Sequence, residues 1–276
     1  MQTEKLEKAL SSIDLKQLSD ELPISNSEWL IQQLEWEKNR QGNLDWEDNY
    51  NCEECKNRGY LPFIDKENET IYYRECQCMK IRKSIKILKS SGLEGSIKSI
   101  ASYQTPEKWQ EDIKKKAIEF LKDKEASCFY VGGQSGAGKT HICSGIAREY
   151  IYRAKSTRYV MWVEMVEKMK DFRDPERDRY VEDISTADVL YIDDFFKPDI
   201  NRAGYSRQDI ITTFKVIDRR YKAKDKITLI SSELLIRELS AIDEAIAGRI
   251  IEMTRGIYGI DIAKNAERNY RLKAVM

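Results

Sequence analysis

The feature that most constrains the fold is a glycine-rich run, G-G-Q-S-G-A-G-K-T, at residues 132–140. The residues before it, 128–131, are apolar and β-prone, and residues 141–150 have the pattern of a helix. Glycines between a strand and a helix let backbone N–H groups turn inward, and the helix N-terminus adds partial positive charge. We therefore expect this loop to bind phosphate groups.

Two residues at the end of the loop have specific chemistry. Lys139 has the length to reach the β- and γ-phosphates of a nucleotide, and the Thr140 hydroxyl can bind Mg²⁺. The only histidine of the chain, His141, follows directly, and we interpret it as a packing residue that supports the loop rather than as a catalytic base. The expected nucleotide contacts form one continuous stretch: Gly133, Gln134, Ser135, Gly136, Ala137, Gly138, Lys139, Thr140 and His141.

Strand and helix patterns alternate from residue 127 onward. The predicted strands are 128–131, 158–162, 189–192 and 227–231, and the predicted helices are 140–154, 163–172 and 207–222. This alternation predicts an α/β domain with a parallel sheet covered by helices. A helix over residues 108–123 precedes it, and residues 93–106 are interpreted as a linker.

A pair of carboxylates ends the apolar run at residues 188–195. Asp193 is expected to hold Mg²⁺ beside Thr140, directly or through water. Asp194 is expected to polarise the attacking water as a general base. The two residues therefore complete the sequence signature of a P-loop ATPase.

Polar residues also follow the apolar run at 227–230, at the tip of a further predicted strand. Ser231, Ser232 or Glu233 is expected to contact the γ-phosphate or the water, with Ser232 as the candidate nucleotide contact. Further on, Arg249 follows a glycine near the start of a helix. It either reaches the ATP of a neighbouring subunit or forms a surface salt bridge, and its spacing favours neither.

Four cysteines occur in two close pairs, Cys52-x₂-Cys55 and Cys76-x-Cys78, on either side of a predicted hairpin. Four thiolates in this layout are typical of a structural zinc ribbon with no open ligand position. Iron–sulfur ligation is an alternative, but its spacing signatures are absent. Cys128 and Cys143 lie in apolar contexts and are interpreted as core residues.

The first fifty residues are acidic and predicted to be helical, with one helix over residues 14–22 and another that Ser27 caps before Glu28. Their aromatic residues belong to a small helical bundle or dock another protein. The net charge is zero, so no global field indicates nucleic acid. Basic and aromatic residues around 170–180 and 197–207 are a weak candidate track for single-stranded DNA. No apolar run approaches the ~20 residues of a membrane span, so we expect a cytoplasmic protein without membrane contact.

These motifs together resemble bacterial and phage replicative helicase loaders of the DnaC/DnaI type, in the IstB-like clade of the AAA+ ATPases. The resemblance covers residues 52–273 and is carried by the cysteine module, the glycine-rich loop and Y-I-D-D-F at 191–195, together with residues 229–234, 243–250 and 269–273. It implies that Lys139, Thr140, Asp193 and Asp194 serve ATP and Mg²⁺, and that Arg249 acts in trans as an arginine finger.

The same resemblance implies partners and a domain division. Residues 1–95, with the zinc module at 52–78, would grip a DnaB-type hexameric helicase, and the AAA+ domain of residues 96–276 would touch single-stranded DNA. In related chains the finger follows Gly-Ser and Asn often replaces Glu233, so both positions depart from the family pattern. The stretch after Arg249 is short, and we expect no separate lid.

The sequence favours the first of three functions, because the cysteine module and the acidic, aromatic leader indicate a protein-docking head. The first is a helicase loader with a weak ATPase activity that DNA or the partner stimulates. The second is an IstB-type transposition regulator that acts on double-stranded DNA and a transposase. The third is a stand-alone ATPase without a macromolecular partner.

Overall fold

The computed structural model describes residues 26–170, 175–197, 204–223 and 225–273. The described parts of Met1–Met79 and of Lys80–Met276 form two compact units. The helix that the sequence predicts over residues 14–22 lies outside the described residues. None of the helices in the described ranges combines the length and apolarity that a bilayer crossing requires.

The first unit contains two helices and a hairpin: α1 (Asn26–Asn39), α2 (Asp45–Asp48), β1 (Tyr60–Asp65) and β2 (Thr70–Glu75). Strands β1 and β2 are antiparallel, and Tyr60 pairs with Glu75. A buried ion pair of 2.9 Å between Glu37 and Arg58 joins α1 to the chain before the hairpin. Helix α3 (Cys78–Ser90) follows β2 and continues into the second unit.

The second unit alternates strands and helices. Its elements are α4 (Lys108–Phe120), β3 (Cys128–Gly133), α5 (Lys139–Tyr152), β4 (Thr157–Met161), α6 (Trp162–Lys170), α7 (Glu176–Thr186), β5 (Val189–Phe195), α8 (Arg207–Lys222), β6 (Ile227–Ser232), α9 (Ile236–Ile242), α10 (Glu244–Met253), β7 (Gly259–Ile262), a 3₁₀ turn (Ala266–Arg268) and α11 (Tyr270–Lys273). The predicted strands are all present, and their bounds shift by a few residues.

The five strands form one parallel sheet in the order β4-β5-β6-β3-β7. Strand β3 lies between β6 and β7, so the glycine-rich loop leaves the sheet next to the tips of both. The pairing of β5 with β6 is irregular between Ile192 and Phe195, where the two aspartates lie. The predicted α/β fold with a parallel sheet is confirmed.

Strand residues alternate between two buried faces, as a period of two requires. Phe129 and Val131 pack in the cluster that includes α4 and α5, whereas Tyr130 packs in the cluster that includes α6, α8 and α10. Both faces of the sheet are therefore covered, which explains why its strands are apolar throughout.

Local capping sets the start of two helices near the site. At the start of α8, the Ser206 hydroxyl accepts from the Asp209 amide at 3.1 Å, and the Asp209 carboxylate accepts from the Ser206 amide at 2.8 Å. At the start of α10, the Asp243 carboxylate accepts from the Ile246 amide at 2.8 Å. These are the side chains that helix N-termini favour.

The interpretation of residues 93–106 as a linker is wrong, because the segment packs into the core of the second unit. Leu93, Ile100 and Tyr103 are buried in the same core as α4 and α5. A Cβ atom at Gly145 of α5 would lie 2.8 Å from Cγ1 of Ile100, so glycine is required for this close approach. The segment therefore forms one wall of the second unit.

Candidate nucleotide and metal sites

The glycine-rich loop turns tightly between β3 and α5. Gly136 and Gly138 have φ values of 73° and 83°, in the region that favours glycine. A Cβ atom at Gly136 would clash with Oδ1 of Asn269, and one at Gly138 would lie 2.8 Å from the Tyr103 ring. Backbone conformation and close neighbours therefore both require glycine at these positions.

Lys139 lies beneath this loop. Its Nζ donates to the carbonyl oxygens of Gly133 at 2.9 Å and of Gln134 at 2.7 Å. Burial lowers the pKa of Lys139, while the charges of Glu233, Asp194 and Asp193 act in the opposite direction. The ammonium is thus held where the loop would surround a phosphate chain, and its contact with phosphate stays a prediction.

The Asp193 carboxylate accepts hydrogen bonds from hydroxyl groups on three elements, α5, β4 and β6. The Thr140 Oγ1 donates to its Oδ1 at 3.3 Å, the Tyr159 hydroxyl donates to its Oδ2 at 3.3 Å, and the Ser231 hydroxyl also donates to Oδ1. The carboxylate is buried. A carboxylate next to a threonine hydroxyl is a hard-oxygen donor set, which fits Mg²⁺. Thr140 and Asp193 are the residues that would hold this ion beside the phosphates.

Asp194 faces outward from the strand tip. Its φ is 50°, a value that β-branched or bulky residues rarely adopt, and its side chain remains partly exposed. The carboxylate Oδ2 lies 3.2 Å from Nζ of Lys197. Sequence reasoning assigned Lys197 no role at this site, because nothing in its spacing shows that the chain turns back here.

The three polar residues at the tip of β6 point in different directions. Ser231 contacts Asp193, and its Oγ lies 3.0 Å from the Tyr191 hydroxyl. Ser232 is fully buried and donates to the carbonyl oxygen of Phe195 at 2.6 Å. Burial acts to raise the pKa of Glu233, but Lys197, the Ser135 side chain and Lys139 hold it below its usual value. Ser231 and Glu233 therefore face the site, and the nucleotide contact of Ser232 stays a prediction.

A cavity of about 300 Å³ lies beside the loop. His141 forms one wall, where its Nε2 lies 2.9 Å from the Ser99 carbonyl oxygen and 3.1 Å from the Ser102 hydroxyl oxygen. Other walls come from Tyr103 and from Tyr270, whose amide donates to the Gly136 carbonyl at 3.1 Å. Sequence reasoning missed Tyr103 and Tyr270 as site residues, since neither lies in a nucleotide motif. The cavity has the size of a small-ligand pocket and adjoins the loop.

Arg249 is engaged with its own subunit. Its guanidinium lies 2.9 Å from Oδ1 of Asp218 and stacks over the Phe214 ring at 4.5 Å. Both partners are on α8. The arrangement matches the salt-bridge alternative, and the finger role in trans stays a prediction.

The four cysteines of the first unit converge on one point. Their sulfur atoms all lie within 4.8 Å of one another and are buried. The Sγ atoms of Cys52 and Cys76 are 3.8 Å apart, and those of Cys55 and Cys78 are 3.5 Å apart. Both distances are close to the ~3.8 Å between sulfur atoms that a zinc tetrahedron requires. The geometry therefore fits Zn²⁺.

The backbone around the cysteines supports thiolates. The Gly59 amide donates to Sγ of Cys55 at 3.3 Å. Burial acts to raise the pKa of Cys55, but this amide and the neighbouring thiols lower it to about 7. Burial raises the pKa of Cys76. Four thiolates this close repel one another, so a bound cation would let all four ionise.

A parallel sheet in the order β4-β5-β6-β3-β7, with a phosphate loop after β3 and an aspartate pair at the end of β5, is the arrangement of a P-loop AAA+ ATPase. The chain belongs to the family of IstB-like ATP binding proteins, whose model matches residues 56–274. This membership confirms the prediction that the chain is an ATP-binding ATPase.

The chain is also similar to several named proteins. The chain is 29% identical over 240 residues to the phage-like element PBSX protein XkdC of Bacillus subtilis, a match that covers 82% of this chain and 88% of XkdC. It is 23% identical over 157 residues to the replicative helicase loader DnaC of Escherichia coli K12, covering 55% of this chain and 62% of DnaC. The crystal structure of DnaI has a TM-score of 0.48 and 20% identity, covering 61% of this chain and 91% of that one.

Proposed function

We propose that this protein is an ATP-dependent loader that binds a DnaB-type replicative helicase and delivers it to single-stranded DNA in the cytoplasm. The proposal rests on one observation: a unit with a cysteine module and exposed tryptophans precedes the AAA+ core in the chain. Similarity to a protein named as a replicative helicase loader supports it. In this proposal the first unit carries the docking surface and the second unit is the ATPase domain.

Three tryptophans of the first unit favour a protein partner. Trp29, Trp36 and Trp46 are 53%, 61% and 80% exposed. Exposed large aromatic side chains are costly in water and are enriched at protein–protein interfaces. Zn²⁺ bound by Cys52, Cys55, Cys76 and Cys78 would give this surface a rigid base, because a four-cysteine site is structural.

The second unit would supply the energy. Lys139 would bind the phosphates, and Thr140 and Asp193 would hold Mg²⁺, which neutralises charge on the β- and γ-phosphates. Asp194 would accept a proton from a water molecule while the oxygen of that water attacks the γ-phosphorus and ADP leaves. The cavity bounded by Tyr103, His141 and Tyr270 has room for the base.

Contacts in trans and with DNA complete the proposal. For Arg249 to reach the ATP of a neighbouring subunit, its guanidinium would leave Asp218, a partly exposed ion pair that is weak in water. In the candidate DNA stretch, Lys170 pairs with Asp209, and Arg177 donates to the Met169 carbonyl at 2.9 Å. Single-stranded DNA would therefore compete with contacts inside the chain there.

A transposition regulator is the second candidate, because the matching family is described as IstB-like. The two functions share the ATPase core and differ in their partner. The exposed tryptophans and the cysteine module precede most of that core, and they favour the helicase.

The test uses the full-length chain and the replicative helicase of its host. Size-exclusion chromatography with Mg²⁺ and ATP should give a complex, and the triple variant Trp29→Ala/Trp36→Ala/Trp46→Ala should reduce it at least tenfold. Tyr152→Ala is the matched control, because Tyr152 is 56% exposed in the second unit. Failure of the wild type to bind helicase, with binding to a transposase instead, would select the second candidate.

A further inference from the structure

Lys197 lies just beyond the end of β5, and its ammonium joins two carboxylates. Its Nζ is 3.2 Å from Oδ2 of Asp194 and 3.4 Å from Oε1 of Glu233. Asp194 lies near the end of β5 and Glu233 directly follows β6, and these two strands are neighbours in the sheet. Lys197 therefore bridges the tips of the two strands beside the phosphate loop.

This bridge faces the loop itself. Asp194 is adjacent to Asp193, which accepts from Thr140 at the end of the loop, and Glu233 follows β6, the neighbour of the strand that leads into the loop. The charges of Glu233, Asp194 and Lys197 all act on Lys139. Partial burial acts to lower the pKa of Lys197, but Asp194 and Glu233 raise it above its usual value. The Lys197 ammonium thus lies between the tips of two strands that adjoin the phosphate loop.

The charges around the loop require such a cation. Asp193, Asp194 and Glu233 are three carboxylates, and a triphosphate would add further negative charge next to them. Mg²⁺ would compensate Asp193, whereas Glu233 would repel the last phosphate unless a cation stood between them. A lysine ammonium has three N–H donors and no acceptor, so it can serve two carboxylates and one phosphate oxygen together.

We propose that Lys197 binds the γ-phosphate and so distinguishes ATP from ADP. The inference rests on the proposed role of the loop in nucleotide binding. Sequence spacing could not reveal it, because Lys197 lies outside the phosphate-loop motif and its bridge is formed only by the fold.

The test compares a non-hydrolysable ATP analogue with ADP by calorimetry in the presence of Mg²⁺. Lys197→Met should weaken the analogue about tenfold, the loss expected for one charge-assisted hydrogen bond. Its affinity for ADP should change less than twofold, and Lys197→Arg should restore most of the analogue affinity. Lys264→Met is the control, since Lys264 pairs with Glu238 and is 49% exposed against 43% for Lys197.

A double variant separates direct contact from simple neutralisation of Glu233. Lys197→Met/Glu233→Gln should still bind the analogue weakly, whereas full recovery would overturn the proposal. Equal losses for ADP and the analogue, or no loss in Lys197→Met, would also overturn it. If the wild type bound neither nucleotide, the proposed role of the loop would fail as well, so the two failures are distinguishable.

Discussion

The Thr140 hydroxyl oxygen lies 3.3 Å from Oδ1 of Asp193. The two residues come from different parts of the chain, one at the start of α5 and the other near the end of β5. Their contact places a hydroxyl and a carboxylate side by side next to the phosphate loop. This pairing is the structural basis for assigning Mg²⁺ and ATP to this edge of the sheet.

Lys139→Ala should weaken ATP binding by about a hundredfold or more, because the ammonium that would face the β- and γ-phosphates is removed. Fluorescent ATP titration is the measurement. Lys116→Ala is a suitable control, since Lys116 is remote from the loop and donates to the Ile257 carbonyl at 2.9 Å. Equal affinity in Lys139→Ala and wild type would contradict the role of this lysine.

Asp194→Asn should bind ATP normally but hydrolyse it roughly 10²–10⁴ times more slowly, because an amide cannot accept the proton from water. Phosphate release under single-turnover conditions measures this step. Asp193→Asn should differ, since it should also raise the Mg²⁺ concentration that binding requires. Normal turnover in Asp194→Asn would show that another group activates the water.

Gly136→Ala should impair nucleotide binding, because the new Cβ would clash with Asn269 and strain of about 1–3 kcal/mol would distort the loop. Gly248→Ala is the matched control: it lies in α10, and a Cβ there would meet no atom within 4 Å. Replacing a helical glycine should stabilise the fold by about 0.5–1 kcal/mol. Thermal unfolding and ATP titration of both variants test this pair, and unaltered ATP affinity in Gly136→Ala would argue against the close packing of the loop.

Purified protein should contain about one zinc ion per chain, because four buried thiolates fill a tetrahedral site. Cys55→Ser should lose the metal and lower the unfolding temperature. Cys143→Ala should retain it, since Cys143 is buried in the core of the ATPase unit, outside the cluster. Elemental analysis provides the measurement, and a zinc content below a tenth of an ion per chain would exclude a zinc ribbon.

Much of the nucleotide site can be predicted from the sequence, because its motifs lie at the ends of secondary-structure elements that the local pattern already predicts. The loop at residues 132–140 lies between an apolar strand and a helix, so local pattern alone places it. Asp193 follows a run of buried apolar residues, and the tip of a parallel strand is where such a carboxylate meets the loop. The cysteine pairs are likewise informative because their spacing reflects ligand geometry.

Other features depend on tertiary contacts and escaped prediction. Strand β7 has four residues, too few for a reliable period, and it is defined by pairing with β3. Helix α7 is strongly charged, and the burial of Val181 and Ile184 fixes it against the core. The core position of Ile100 depends on Gly145 of α5, and that of Tyr103 depends on Gly138 of the phosphate loop. The secondary-structure propensities of these residues do not reveal contacts between distant parts of the chain.

The most direct test of the account is a crystal structure with Mg²⁺ and a non-hydrolysable ATP analogue. The account predicts a triphosphate within residues 133–140, Mg²⁺ between Thr140 and Asp193, and the base in the cavity beside Tyr103. A nucleotide bound elsewhere, with this loop empty and Asp193 directed away from it, would contradict the account.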